Sequence, residues 1–328
     1  MPEDITPKRL SVRQLFEEEQ GELRLTLLTD PLHLGREILQ KNLHRPGLAL
    51  AGYLELFTHD RIQVLGNTEI SYLRSLTREQ CREAFARVFR FDIPCLVITN
   101  SNSPVNDTVE LAEGAGVPVF QSELSTTELY HLLSDYLDDF FAPQETQHAT
   151  LVDVYGTGLL LTGKSGIGKS EVALDLVERG HRLVADDAVL VTRKADRILM
   201  GSGNDLLQHM MEIRGLGIID VRQIYGISAV RMQKRVEMIV ELCLWEERGD
   251  LDRTGLEKET ATILGIELPL IRLPIFPGKN ITVICETLAL NHHLKVYGYD
   301  SSLELNRRLL KTMEDRRRLR AYLRRDPE

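Results

Sequence analysis

An α/β protein of two domains, a smaller α/β domain followed by one built around a phosphate-binding loop, is the fold class this sequence predicts. Three observations carry it. Gly163-Lys-Ser-Gly-Ile-Gly-Lys-Ser170 follows a short apolar run and opens a helical stretch, the strand–loop–helix order of a phosphate loop. Short apolar, strand-like runs alternate with amphipathic helical ones in both halves. At 328 residues with 43% hydrophobic content, the chain exceeds one ordinary domain and can bury a core in each of two.

In the first part, Val12–Glu18 has helical character, and Leu48–Phe57 and Ile62–Val64 read as strand-like apolar runs. Thr77–Phe89 carries helical periodicity, while Pro94–Thr99 and Val117–Phe120 are buried-strand patterns. Ser125-Thr-Thr-Glu128 is a capping box, in which hydroxyl and carboxylate satisfy the free N–H groups of a helix start. Behind it Leu129, Leu132, Leu133, Tyr136, Leu137, Phe140 and Phe141 share one helical face. Ala142-Pro143 stops that helix, because proline lacks the N–H and restricts its predecessor. The polar Gln144-Glu-Thr-Gln147 then reads as a boundary. The expected domains are therefore 1–142, without a chemical motif and read as regulatory or assembly-related, and 143–328, which holds the recognisable chemistry.

In the second part Leu159–Thr162 is a short buried strand, and Glu171–Arg179 a helix ending at Gly180. Between them the glycines Gly163, Gly166 and Gly168 let the N–H groups of Lys164, Ser165, Ile167 and their neighbours converge on phosphate oxygens, aided by the positive helix start. Lys169 would reach the β- and γ-phosphates, and the Ser170 hydroxyl would hold Mg²⁺. The strand His181–Ala185 then delivers Asp186 and Asp187 beside the loop. Neighbouring side chains at a strand end diverge, so one can face a metal while the other accepts a proton. A solvated turn is the plain alternative. Farther on, Glu212-Ile-Arg214-Gly-Leu-Gly precedes another apolar run and, taken alone, reads as an ordinary glycine turn.

The charge balance, 40 Lys+Arg against 49 Asp+Glu, excludes a surface built to coat nucleic acid or anionic membrane. It is uneven: nine basic residues against two acidic between Arg307 and Arg325, and a net −16 elsewhere. That basic stretch has helical periodicity from Leu303 to Leu323 and, with Tyr322 alone for stacking, suits subunit or partner docking better than nucleic acid. Four scattered cysteines form no CxxC pair, which leaves free thiols in a reducing compartment. With no signal-peptide pattern and no run of about 18 apolar residues, the expectation is a cytoplasmic protein that does not span a membrane.

Taken together, the loop Gly163–Ser170, Val184-Ala-Asp-Asp187 and Glu212-Ile-Arg-Gly-Leu-Gly-Ile-Ile-Asp220 resemble the bacterial HPr kinase/phosphorylase family. The resemblance extends to His148-Ala-Thr-Leu-Val-Asp-Val-Tyr-Gly, Asp252-Arg253 and Pro277-Gly-Lys-Asn280, and more loosely to Arg45-Pro-Gly47, Gly52-Tyr53 and Arg61-Ile-Gln-Val-Leu-Gly66. It implies a phosphate-loop kinase domain that phosphorylates a regulatory serine of the phosphocarrier HPr with ATP or pyrophosphate. It also implies removal of that phosphate by inorganic phosphate, giving pyrophosphate, in carbon catabolite regulation. On the same ground Lys169 steadies phosphates, Ser170 and Glu212 hold Mg²⁺, and Asp187, with Asp186 beside it, is the acid–base. His148 lies near the acid–base or the incoming phosphate, Arg253 stabilises the transferring group, the 274–279 loop serves dephosphorylation, and the assembly is a homohexamer. Two positions depart from the family pattern: Lys164, where an acid is common, and Lys279, where arginine is common and the bidentate fork is lost. Two other classes stay open on the residues: a small-molecule or phosphoenolpyruvate-carboxykinase-like phosphotransferase, and a non-catalytic ATP-binding regulator.

Overall fold

The alternating segments form two compact units, Met1–Ala142 and Pro143–Glu328, in a computed structural model. Residues 8–195, 197–244, 259–276 and 278–325 are described. Both units are α/β.

The first unit is organised by a five-stranded sheet in the order Leu25–Leu27, Val119–Ser122, Leu96–Ile98, Ile62–Leu65, Leu43–His44. Its last four strands are mutually parallel and the first is antiparallel. Strand side chains alternate between faces, so Val64, Val97 and Phe120 enter one buried cluster while Leu65, Leu96, Ile98 and Val119 enter another. Helices Val12–Glu19 and Thr126–Phe140 fill the first cluster, and Asn67–Ser75 and Arg78–Phe89 the second. The Ser125 box forms as the sequence predicts: Ser125 Oγ accepts from Glu128 N at 3.2 Å, and Glu128 Oε2 accepts from Ser125 N at 3.0 Å. The Leu48–Phe57 expectation fails. Gly47–Leu50 is one helical turn, and Gly52, at φ +107°, turns the chain where a strand would have to continue.

The second unit stacks three layers. A six-stranded sheet runs in the order Arg182–Ala185, Thr150–Val154, Thr157–Gly163, Met238–Leu244, Ile266–Ile275, Glu259–Ile263, with its three parallel strands joined by two antiparallel pairings on one side and one on the other. Helices Lys169–Glu178 and Ile281–Val296 pack on one face through Ala173, Leu176, Cys285 and Ala289. On the other face, Leu151, Leu160 and Val184 meet Val189, Val191 and Leu199 of a four-stranded sheet ordered Gln233–Arg235, Ile198–Ser202, Ala188–Lys194, Gln144–His148. The polar segment expected to be a boundary is thus the edge strand of that sheet, paired with Ala188–Thr192. It opens the second unit, and its lack of apolar residues suits an edge position with little to bury. No described helix is long and apolar enough to cross a membrane. The final helix, Ser301–Arg325, leaves Leu303, Leu305, Leu309, Leu310 and Met313 exposed.

Candidate functional site

The strand Thr157–Gly163 ends in the loop and the helix starts at Lys169, with Gly163, Gly166 and Gly168 at φ +134°, +77° and +105°. Glycine is required twice over at Gly163, where a Cβ would also run into the Leu242 carbonyl; at Gly166 the positive φ demands it, while a Cβ would meet only the movable guanidinium of Arg214. Ile167 packs its side chain toward the helix-side core, while its N–H donates to Lys164 O at 3.2 Å and tightens the loop.

Lys169 is buried, and its Nζ lies 3.3 Å from Gly163 O and 3.4 Å from His148 Nε2. The second face of that histidine is engaged too: Nδ1 is 3.0 Å from Asp187 Oδ1. An ammonium can only donate, so Nε2 accepts from Lys169 and Nδ1–H donates to Asp187. The two adjacent aspartates diverge. Asp186 is 8% exposed and turns inward, accepting from Ser170 Oγ at 2.9 and 3.0 Å and from Thr150 Oγ1 at 2.6 Å. Asp187 has 68% of its side chain exposed and sits at φ +64°, a kink where the chain, keeping its direction, passes from the strand Arg182–Ala185 of the six-stranded sheet into the strand Ala188–Lys194 of the four-stranded one. Ala149 N donates to Asp187 O at 3.2 Å and Ala188 N to Asp186 O at 2.7 Å, so backbone hydrogen bonds hold the kink.

The hairpin Met210–Ile213/Gly217–Asp220 supplies the opposite wall. Glu212 and Arg214 lie on it two residues apart and line one cavity of about 150 Å³ with His148, Ser165, Gly166, Gly168, Lys169, Ser170, Glu171, Asp186 and Asp187. The hairpin is anchored by His209 at φ +65°, whose carbonyl accepts from Val221 N at 3.0 Å. Burial and the nearby Arg222 lower the His209 imidazole below its usual range.

Of the residues the sequence singled out, His148, Lys169, Ser170, Asp186, Asp187 and Glu212 therefore share one cavity with Ser165, Gly166 and Gly168 of the loop. Gly163, Lys164 and Ile167 complete the loop behind it. Arg253, Asp252 and Pro277 fall outside the described residues. Arg214 is not singled out by the sequence, because a charge followed by glycine reads as a turn; it does lie in the turn, one residue past the strand Met210–Ile213, and only folding brings it to the cavity beside Glu212. Thr150 gave no signal, since a buried threonine in an apolar strand is ordinary.

Comparisons with known proteins cover both units. The family model described as HPr Serine kinase C-terminal domain matches residues 139–309, and that described as HPr Serine kinase N terminus matches 10–137. A protein named HPr kinase/phosphorylase from Chloroherpeton thalassium is 50% identical over 307 residues, covering 93% of this chain and 90% of its own. One of the same name from Chlorobaculum tepidum is 49% identical over 309 residues, with the same coverage of both chains. Among solved structures, the Hpr(Ser) kinase/phosphatase from Coxiella burnetii is 40% identical, with a TM-score of 0.45 over 49% of this chain and 98% of that one. Two family models in tandem, and relatives about half identical over nine-tenths of both lengths, show that the chain belongs to the HPr serine kinase family.

Proposed function

We propose that this chain is a bifunctional HPr kinase/phosphorylase. It moves a phosphoryl group from ATP or pyrophosphate to a serine hydroxyl of the phosphocarrier HPr and returns that group to inorganic phosphate. The observation that carries the reading is the pair of adjacent aspartates sent to opposite tasks, Asp186 onto Ser170 at the phosphate loop and Asp187 onto His148 at the cavity mouth.

In the forward direction the serine oxygen attacks the terminal phosphorus, the new Oγ–P bond forms, and the bond to the leaving phosphate oxygen breaks. Asp187 accepts the hydroxyl proton, held in place by the Nδ1–H of His148. Lys169 and the N–H groups of residues 163–170 take up charge on the phosphates. In phosphorolysis an oxygen of inorganic phosphate attacks phosphoserine, pyrophosphate forms, and Asp187 gives the proton back to the departing serine oxygen. Microscopic reversibility makes the forward base the reverse acid.

Ser170, Asp186 and Glu212 offer only hard oxygen donors, which fits Mg²⁺. Ser170 and Glu212 would hold the ion with Asp186 supporting the serine, and the ion would supply charge neutralisation between adjacent phosphates. Arg214 lies over Gly166 and adds a second fixed cation to the cradle. Residues 1–142 would serve regulation or assembly, and family resemblance makes that assembly a homohexamer acting in the cytoplasm.

The test is to mix purified protein, Mg-ATP and HPr and follow phosphate on the serine, then to add phosphate to phospho-HPr and assay pyrophosphate. Transfer in both directions is expected. Tight ATP binding without transfer would overturn the reading.

A further inference from the structure

The helix that leaves the phosphate loop ends in a Schellman turn. Gly180, at φ +95°, lets His181 N reach Leu176 O at 3.0 Å and Gly180 N reach Val177 O at 2.9 Å. This reversal brings Arg179 and His181, two residues apart, onto one carboxylate. Glu286 of the helix Ile281–Val296 accepts from Arg179 Nε at 2.9 Å and Nη2 at 2.7 Å, and lies 3.1 Å from His181 Nε2. Glu286 is 9% exposed, and Tyr155 stands edge-on to His181 with ring centroids 4.6 Å apart. One turn earlier, Thr282 Oγ1 donates to Asp175 Oδ2 at 3.1 Å.

The two rungs have the same offset. Asp175 and Arg179 are four apart on the first helix, and their partners Thr282 and Glu286 are four apart on the second. Equal spacing in the same sense means that the helices run parallel with their starts at the same end. The register carries Gly278 and Lys279 level with Glu171 and Val172, directly after Ser170. A cleft of about 430 Å³ lies there, lined by Glu171, Val172 and Asp175 on one side and by Gly278, Lys279 and Asn280 on the other.

We infer that Glu286 is a positioning residue for phosphoryl transfer. Its clasp on Arg179 and His181, with the Thr282–Asp175 rung, fixes the register that holds the Gly278–Lys279 loop beside the phosphate-binding turn. The same carboxylate ties down His181, which leads into the strand delivering Asp186 and Asp187, so that strand and the Gly278–Lys279 loop are both referred to one buried charge. The inference rests on the function proposed above only for the reaction it tunes.

Two readouts on the full chain test it, using Glu286→Gln and, in case that variant folds poorly, Thr282→Val. The first is amide exchange with and without Mg-ATP. In the unaltered chain ATP is expected to slow exchange at residues 278–286 as well as 163–170, and in both variants only the second effect should persist. The second is the ratio of phosphorolysis to kinase turnover, expected to shift by about 2- to 30-fold in each variant, the range over which packed networks couple distant sites. Exchange at 278–286 that ignores ATP in the unaltered chain, or responds equally in the variants, would overturn the positioning role, as would an unchanged turnover ratio. A chain that shows the exchange pattern but transfers nothing to HPr would instead sink the functional proposal alone.

Discussion

Asp186 and Asp187 differ by nothing that composition records, yet one is bonded to two hydroxyls and the other to an imidazole. Asp187→Asn keeps the shape and removes the basic oxygen. Both directions should slow by about 10²- to 10⁴-fold with ATP affinity preserved, measured by HPr phosphorylation and nucleotide titration; an active variant would refute the acid–base role. Arg214→Ala should lower turnover by about 10²-fold, in the range for removing one donor of transition-state charge. Arg214→Lys should recover only part of it, because the ammonium lacks the planar fork. The functional types were readable at this scale and the pairings were not. A phosphate-loop lysine and serine announce themselves by spacing, whereas the bond from Ser170 to Asp186 joins residues sixteen apart through two different elements.

Local rules decided most elements. The capping box at Ser125 and the glycine stop at Gly180 hold because they satisfy backbone groups within a few residues of themselves. Ser125→Ala should cost about 1 kcal/mol in denaturant melts, and Gly180→Ala about 1–2 kcal/mol, because alanine resists the left-handed conformation. The clasp at Glu286 adds a pH dependence. The Arg179 hydrogen bonds, with help from His181, hold its carboxyl below the usual range despite burial. A depressed carboxyl stabilises the fold above its unfolded value and loses that contribution as pH falls through the folded one. The melting-temperature gap between the unaltered chain and Glu286→Gln should therefore be widest near neutrality and narrow below about pH 4. A gap constant with pH would show that the charge contributes nothing. Leu48–Phe57 misled because apolar content without a partner strand does not make a strand; Gln144–Gln147 opens the second unit as an edge strand, whose single sheet neighbour leaves it little apolar surface to bury.

Each unit has buried clusters of its own, one pair in Met1–Ala142 and another in Pro143–Glu328. A fragment starting at Pro143 should fold and keep ATP affinity within about tenfold of the full chain, checked by calorimetric titration, since each domain-sized core is able to fold alone. Loss of binding in a folded fragment would give residues 1–142 a direct part in the site. Order along the chain was enough for the α/β class, the strand–loop–helix at Gly163–Ser170, the family resemblance and an acidic body with a basic tail, because these depend on local spacing and counts. Which aspartate faces the loop, where Arg214 rests and how Glu286 aligns two helices depended on folding. Those features join residues far apart in sequence, and their geometry exists only once strands and helices have packed.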